Sequence, residues 1–186
     1  MGAPYPNFSI ETVRLVLRPP VAEDFEAYAA FQADPVVTRF IGGAQERSVA
    51  WRSFCSLGGA WALFGFGMFS VIEKASGRWI GRLGAWQPEG WPGSEVGWSL
   101  ALEAQGKGLA LEGSTAAMDW AFEHLGWEDV IHCINPENLP SQKLAQALGS
   151  RNRGPGTLPA PHGASPVDIW GQTRAEWVQR RAVRPE

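Results

Sequence analysis

Cysteine is scarce in this chain: Cys55 and Cys133 are the only two in 186 residues. Two thiols so far apart offer neither a disulfide framework nor a metal-ligand spacing, so no metal is expected. Both are read as buried, reduced and structural. A basic excess is missing too, with 16 Lys and Arg against 19 Asp and Glu and a net charge of -3. That balance argues against a nucleic-acid binder, which usually shows a basic surface. Long apolar runs are also absent. The longest, residues 58–71, is broken by Gly65, Gly67 and Ser70, and a membrane span needs ~20 residues. The opening MGAPYPNFSI has no basic segment leading into an apolar one, as a secretory leader would. Pro6 stands where a myristoylation signal has Ser or Thr. A cytoplasmic protein, without membrane or nucleic-acid partner, is the expectation.

What is present is a globular balance, 45% hydrophobic and 19% charged, enough for one domain over residues 1–186. The ten tryptophans are unusual. Most read as core or half-buried sheet residues. Trp51, Trp61, Trp86 and Trp91 are open between core packing and an apolar or cation–π wall for a ligand.

Residues 14–18 alternate polar and apolar and read as a strand closed by Pro19 and Pro20. Residues 23–32 read as a helix, and residues 44–57 as a second, weaker one. Two strands, 66–73 and 78–87, flank a turn at Ala75-Ser76-Gly77. A breaker-rich loop then leads to a strand at 95–102. The clearest helix is 108–125, with Leu111, Thr115, Met118, Phe122 and Leu125 as its expected buried stripe. A strand at 130–134, a helix at 139–148, a Gly/Pro-rich loop or irregular strand at 151–164 and a short strand at 167–171 follow. Thr173 and Glu176 form a capping-box pattern that opens a last helix. The pattern predicts a mixed α/β fold with about six to seven strands and flanking helices.

The informative segment is Gln105-Gly-Lys-Gly-Leu-Ala110, between a strand and the best helix. A helix start presents unpaired N–H groups and the positive end of the dipole, and Gly106 and Gly108 leave room for close approach. A diphosphate fits that chemistry. A dinucleotide fingerprint would need glycine where Leu111 stands, and a P-loop would need Ser or Thr after Lys107. Both fail.

The segment matches Q/R-x-x-G-x-G/A, the acetyl-CoA signature of the GNAT acetyltransferase superfamily. Glu95 to Leu100, Asn135-Pro-Glu-Asn-Leu-Pro-Ser141 and the helix ending Leu148-Gly149 follow in the family's order. The opening Thr12 to Pro19 and the closing Thr173 to Trp177 resemble the RimJ/RimL-like branch. One departure is Ser150, where the family usually has an aromatic after Leu-Gly.

The resemblance implies a mostly antiparallel twisted sheet, splayed between its fourth and fifth strands. It also implies an acetyl-CoA-dependent N-acetyltransferase, in which an amine attacks directly within a ternary complex. The acceptor, a peptide N-terminus or a small-molecule amine, stays open, as does a homodimer. A non-catalytic acyl-CoA-binding module with the same fold is the alternative. The implied cofactor residues are Trp98, Leu100, Gln105, Gly106, Lys107, Gly108, Leu109, Ala110, Asn138 and Ser141. Glu95 is implied as the base that deprotonates the amine, against a solvated strand-end carboxylate or one paired with a nearby arginine. Ser141 is implied as the hydrogen-bond donor to the leaving thiolate, against a helix cap. His132 reads as structural, His162 as a candidate on the substrate side.

Overall fold

A computed structural model describes residues 8–183; residues 1–7, which carry most of the leader reading and Pro6, lie outside them. An eight-stranded sheet runs in the order β1-β2-β3-β4-β5-β6-β8-β7. Ile10–Glu11 (β1) and Leu15–Arg18 (β2) start one edge. The hairpin Met68–Glu73 (β3) and Trp79–Trp86 (β4) and then Glu95–Leu100 (β5) continue it. Asp129–Ile134 (β6), Arg151–Gly156 (β7) and Val167–Thr173 (β8) make the other half. Neighbours are antiparallel except β5 and β6, which run parallel and share one register pair, Glu95 with Ile131. Past Glu95 the two strands part. They are the fourth and fifth strands of the sequence reading, so the splay lies where it was expected. The sheet is larger than predicted because β1 pairs with β2; the Gly/Pro-rich segment takes the irregular-strand alternative and slips register between Asn152 and Pro155.

Phe25–Ala33 (α1) and Arg47–Phe64 (α2) lie on one face, Leu109–His124 (α3) on the other. Neighbouring side chains of a strand point to opposite faces, and β3 shows it: Met68 packs with Tyr28, Ala50 and Leu57, whereas Phe69 packs with Met118 and Trp120. Leu139–Leu148 (α4) and Arg174–Val183 (α5) complete the helices. The capping box at α5 is reciprocal: Thr173 N donates to Glu176 Oε2 at 2.8 Å, and Glu176 N to Thr173 Oγ1 at 3.3 Å.

Three expectations need correction. First, α3 buries Leu109, Gly113, Ala117, Met118, Ala121 and Phe122, while Leu111 is 38% exposed. Small residues four apart let the helix lie close on the sheet; a Cβ on Gly113 would stand 2.6 Å from Leu83 Cδ2. Second, α2 runs through Gly58 and Gly59 to Phe64 and stops only at Gly65, whose φ is 78°. Third, Cys55 is exposed and Cys133 half-buried. Cys55 points away from the α2 face that buries Ala50, Leu57 and Trp61. The tryptophans divide: Trp61 is core and donates Nε1 to Met68 O at 3.0 Å, Trp51 is exposed, and Trp86 and Trp91 line a cavity. Among the described residues no helix is long and apolar enough to cross a membrane, and no cluster of His, Cys, Asp and Glu could hold a metal.

Candidate active site

The glycine loop leads from the end of β5 into α3. Gly106 and Gly108 have φ of 72° and 76°, a left-handed backbone that disfavours any side chain. Gly108 is the N-cap of α3, and no side chain caps that terminus, so the first-turn N–H groups face outward. A Cβ on Gly106 would meet nothing within 4 Å. Gln105 Nε2 donates to Leu100 O at 2.9 Å and fastens the loop to its strand, while the Leu100 side chain sits in the α3 core. Leu109 is buried and Lys107 exposed.

Arg14, which sequence reasoning passed over, braces the same loop. Its Nη1 donates to Lys107 O at 2.9 Å and its Nε to Glu112 Oε2 at 2.6 Å. Glu112 Oε1 also accepts from Arg14 N at 2.7 Å and Thr12 Oγ1 at 2.5 Å. Burial works against this carboxylate, but the bonds from Thr12 and Arg14 outweigh it and hold its pKa below the usual range. Nothing in the local sequence pattern marks Arg14, because its partners lie about a hundred residues away.

At the splay opens a cavity of about 450 Å³, lined among others by Tyr28, Gln32, Arg82, Glu95, Cys133 and His162. Glu95 starts β5 at the one point where β5 and β6 still pair. It is only 6% exposed. Its Oε1 accepts from Cys133 N at 2.9 Å and its Oε2 from Trp91 Nε1 at 2.6 Å. Burial pushes its pKa up to about 7, against the opposing pull of those bonds and of the Arg82 charge. It is therefore neither a solvated strand-end carboxylate nor one closed in an ion pair.

Trp98, Asn138 and Ser141 line the same cavity. Trp98 Nε1 donates to Ser141 Oγ at 3.3 Å. Asn138 caps α4 by accepting from Ser141 N at 3.2 Å, so the turn that leads the chain into α4 also places Ser141 on the cavity wall. Below them, His132 is 1% exposed under the Trp98 ring, the two centroids 4.7 Å apart. Its Nδ1 lies 2.7 Å from Val96 O and its Nε2 2.9 Å from Ser150 Oγ. Gln172 Nε2 donates onward to Ser150 Oγ at 2.9 Å. Each atom finds its partner if Nδ1 carries the proton and Nε2 accepts from the serine, a neutral imidazole. Burial accordingly lowers its pKa to about 4. Ser150, the departure noted in the sequence, is thus a buried link of a polar chain.

The structure therefore gathers Glu95, Trp98, Asn138 and Ser141 on one cavity. It sets the Gln105–Ala110 loop beyond the far end of β5, whose last residue is roughly 17 Å along the strand from Glu95 at ~3.3 Å per residue. His162 also faces the cavity, from the late loop. Sequence reasoning missed Trp91, Cys133 and Arg82 as neighbours of Glu95, since strand alternation does not disclose which strands part.

The acetyltransferase (GNAT) domain family model matches residues 14–151. An uncharacterized N-acetyltransferase, p20, of Bacillus licheniformis is 29% identical over 149 residues, covering 78% of this chain and 84% of that protein. The crystal structure of an acetyltransferase from Agrobacterium tumefaciens has 29% identity and a TM-score of 0.78, over 90% of this chain and 95% of that one. A ribosomal-protein-S5-alanine acetyltransferase from Vibrio fischeri shares the fold, with a TM-score of 0.70 at 19% identity, covering 92% and 99% of the two chains. With most of its length matched and its sheet parted between β5 and β6 above a glycine loop, the chain belongs to the GNAT acetyltransferase family.

Proposed function

We propose that the protein moves the acetyl group of acetyl-CoA to a primary amine by direct attack in a ternary complex. The observation that carries this reading is Glu95: a buried carboxyl with a pKa near 7, held by two donors, facing a cavity at the strand parting. The family generally uses acetyl-CoA. The residues present fit that cosubstrate. The uncapped first turn of α3, behind Gly106 and Gly108, suits its diphosphate. Past Glu95 no strand pairs with the β6-facing edge of β5, and its backbone around Trp98 suits the amide-bearing arm, as an added strand.

In this reading Glu95 takes the proton that the attacking amine must lose. Backbone N–H groups between Trp98 and Leu100 face the carbonyl oxygen as it gains charge. Ser141 donates a hydrogen bond to the departing sulfur, with Trp98 Nε1 holding the serine oxygen as acceptor. Asn138 sets the Ser141 turn and presents its amide beside the same arm. The likeness to the RimJ/RimL branch rests on the two chain ends and leaves the acceptor open.

Thiol release from acetyl-CoA with a panel of amines is the test, alongside calorimetric CoA binding. Amine-dependent release is the expected result. Tight CoA binding with no release for any amine would leave an acyl-CoA-binding module.

A further inference from the structure

Arg82 lines the cavity as a half-buried cation without a counter-ion. More exposed arginines, Arg14, Arg47 and Arg153, close on carboxylates at 2.5–2.7 Å. No carboxylate among the described residues pairs with Arg82. Its Nη1 points at Met68 Sδ, 2.9 Å away, and a thioether is a weak acceptor. Its buried Nε has no protein partner. A desolvated guanidinium left this way costs stability unless something answers it. Gln32 adds a second orphan: its side chain is 2% exposed, lines the same cavity, and its Oε1 has no donor.

The placement of Arg82 relative to Glu95 gives the orphan cation a meaning. Arg82 sits on β4 opposite Ser99 of β5, four residues along from Glu95. Its side chain leans back over Met68, near enough for its charge to act on the Glu95 carboxyl. The floor between them is Gly97, where a Cβ would stand 2.8 Å from Met68 Cε and 3.5 Å from Glu95 Oε1. The cavity thus holds a fixed positive group and a proton acceptor on one face, with bare backbone between.

We propose that the acceptor is a small amine bearing a carboxylate, an amino acid in the broad sense, whose carboxylate pairs with Arg82 while its amine faces Glu95. The proposal rests on the acetyltransferase reading above. The amine nitrogen bonds to the acetyl carbon as the carbon–sulfur bond breaks. The proton goes to Glu95 and the electron pair to the departing CoA sulfur. A guanidinium matches a planar carboxylate with two parallel hydrogen bonds. A phosphate dianion suits the site less, because Arg82 is the single Lys or Arg lining it among the described residues and Glu95 adds negative charge when ionised. A polyamine suits it least, since its second cation would meet Arg82. The volume, about 450 Å³, is that of a small-molecule site.

The experiment measures kcat/KM for the common L-amino acids, for their carboxamides, and for 1,4-diaminobutane. An amide keeps the amine and loses only the charge. Its amine is also the weaker base, so free reactivity favours the amide and a preference for the acid must come from the site. The expected result is at least ~10-fold preference for the acid, the scale of one charged hydrogen bond. Arg82→Gln removes that preference by raising KM for the acid, with acetyl-CoA KM unchanged; Arg82→Lys restores part of it. Equal rates for acid and amide, or a preference for the diamine, overturn the carboxylate while the acetyltransferase reading stands. If CoA binds and no amine releases thiol, the activity itself fails and the proposal falls with it.

Discussion

Glu95 and Cys133 are joined across the parting of β5 and β6, the carboxylate accepting the Cys133 amide proton at 2.9 Å. The bond falls beside the last register pair, Glu95 with Ile131, so a side chain continues the ladder where backbone pairing ends. This fixes the carboxylate at the mouth of the cavity without an ionic partner. It also spends one oxygen lone pair on Cys133 and one on Trp91 Nε1, leaving others toward the cavity.

A base in that position must be ionised to act. Activity is expected to rise with pH through about 7, the Glu95 value, and then further as the amine itself loses its proton. Glu95→Gln should remove the first rise, keep the second, and lower turnover ~10²-fold. Acetyl-CoA affinity should stay nearly intact. The loss should shrink for amines of low pKa; an equal loss across an amine series would reduce Glu95 to a positioning role.

Ser141 and Asn138 separate by the same logic. The cap of α4 is made by Asn138 Oδ1 and the Ser141 backbone, not by the serine hydroxyl. Ser141→Ala should therefore lower turnover more than it raises KM for acetyl-CoA, and leave thermal unfolding almost unchanged. Asn138→Ala should cost about 1 kcal/mol of stability, the usual value of a cap. A Ser141→Ala protein with native turnover would leave that hydroxyl without a chemical role.

Much of this was legible in the sequence, because it depends on local chemistry. The glycine pair opening a helix, the Asn-to-Ser turn before α4 and the capping box at Thr173 each declare themselves within six residues. The splay followed from the family likeness. What stayed hidden depends on pairing across the chain. Leu111 fits the helical period yet faces solvent, because α3 turns its small residues, Gly113, Ala117 and Ala121, to the sheet. Gly58 and Gly59 look like helix breakers but are carried through α2, which closes only at Gly65. Ser150 read as a missing aromatic, and only its approach to His132 and Gln172 shows what it does.

His132 and Glu95 oppose each other in the pH dependence of stability. His132 has a folded pKa of about 4, below its ordinary 6.5, so the unfolded chain binds the extra proton between those values and stability rises with pH. Glu95 has a folded pKa of about 7, above its ordinary 4.5, so the folded chain holds the extra proton and stability falls as pH rises. Each contribution is about 3 kcal/mol across its window. Relative to native protein, Glu95→Gln should unmask a rise between pH 4.5 and 6.5, and His132→Asn a fall. Urea unfolding at several pH values reads both slopes; parallel slopes in all three proteins would contradict the buried states assigned here.

The glycine loop offers a test that separates binding from strain. Gly108 holds a φ of 76° at the N-cap of α3, and an added Cβ there would lie 3.5 Å from Arg14 Nη2. Gly108→Val puts a branched side chain both into the left-handed region and into the path of an approaching diphosphate. The strain alone costs about 1–3 kcal/mol of stability. Gly77 supplies the control: its φ is 67°, nothing lies within 4 Å of its added Cβ, and it sits in the β3–β4 turn away from the loop. Gly77→Val should lose comparable stability and keep CoA affinity. Gly108→Val should lose both, with CoA binding weakened ~10-fold or more, the equivalent of about 1.4 kcal/mol. Calorimetric titration of each folded variant with CoA decides it. Equal affinities for the two variants would place the diphosphate somewhere other than the start of α3.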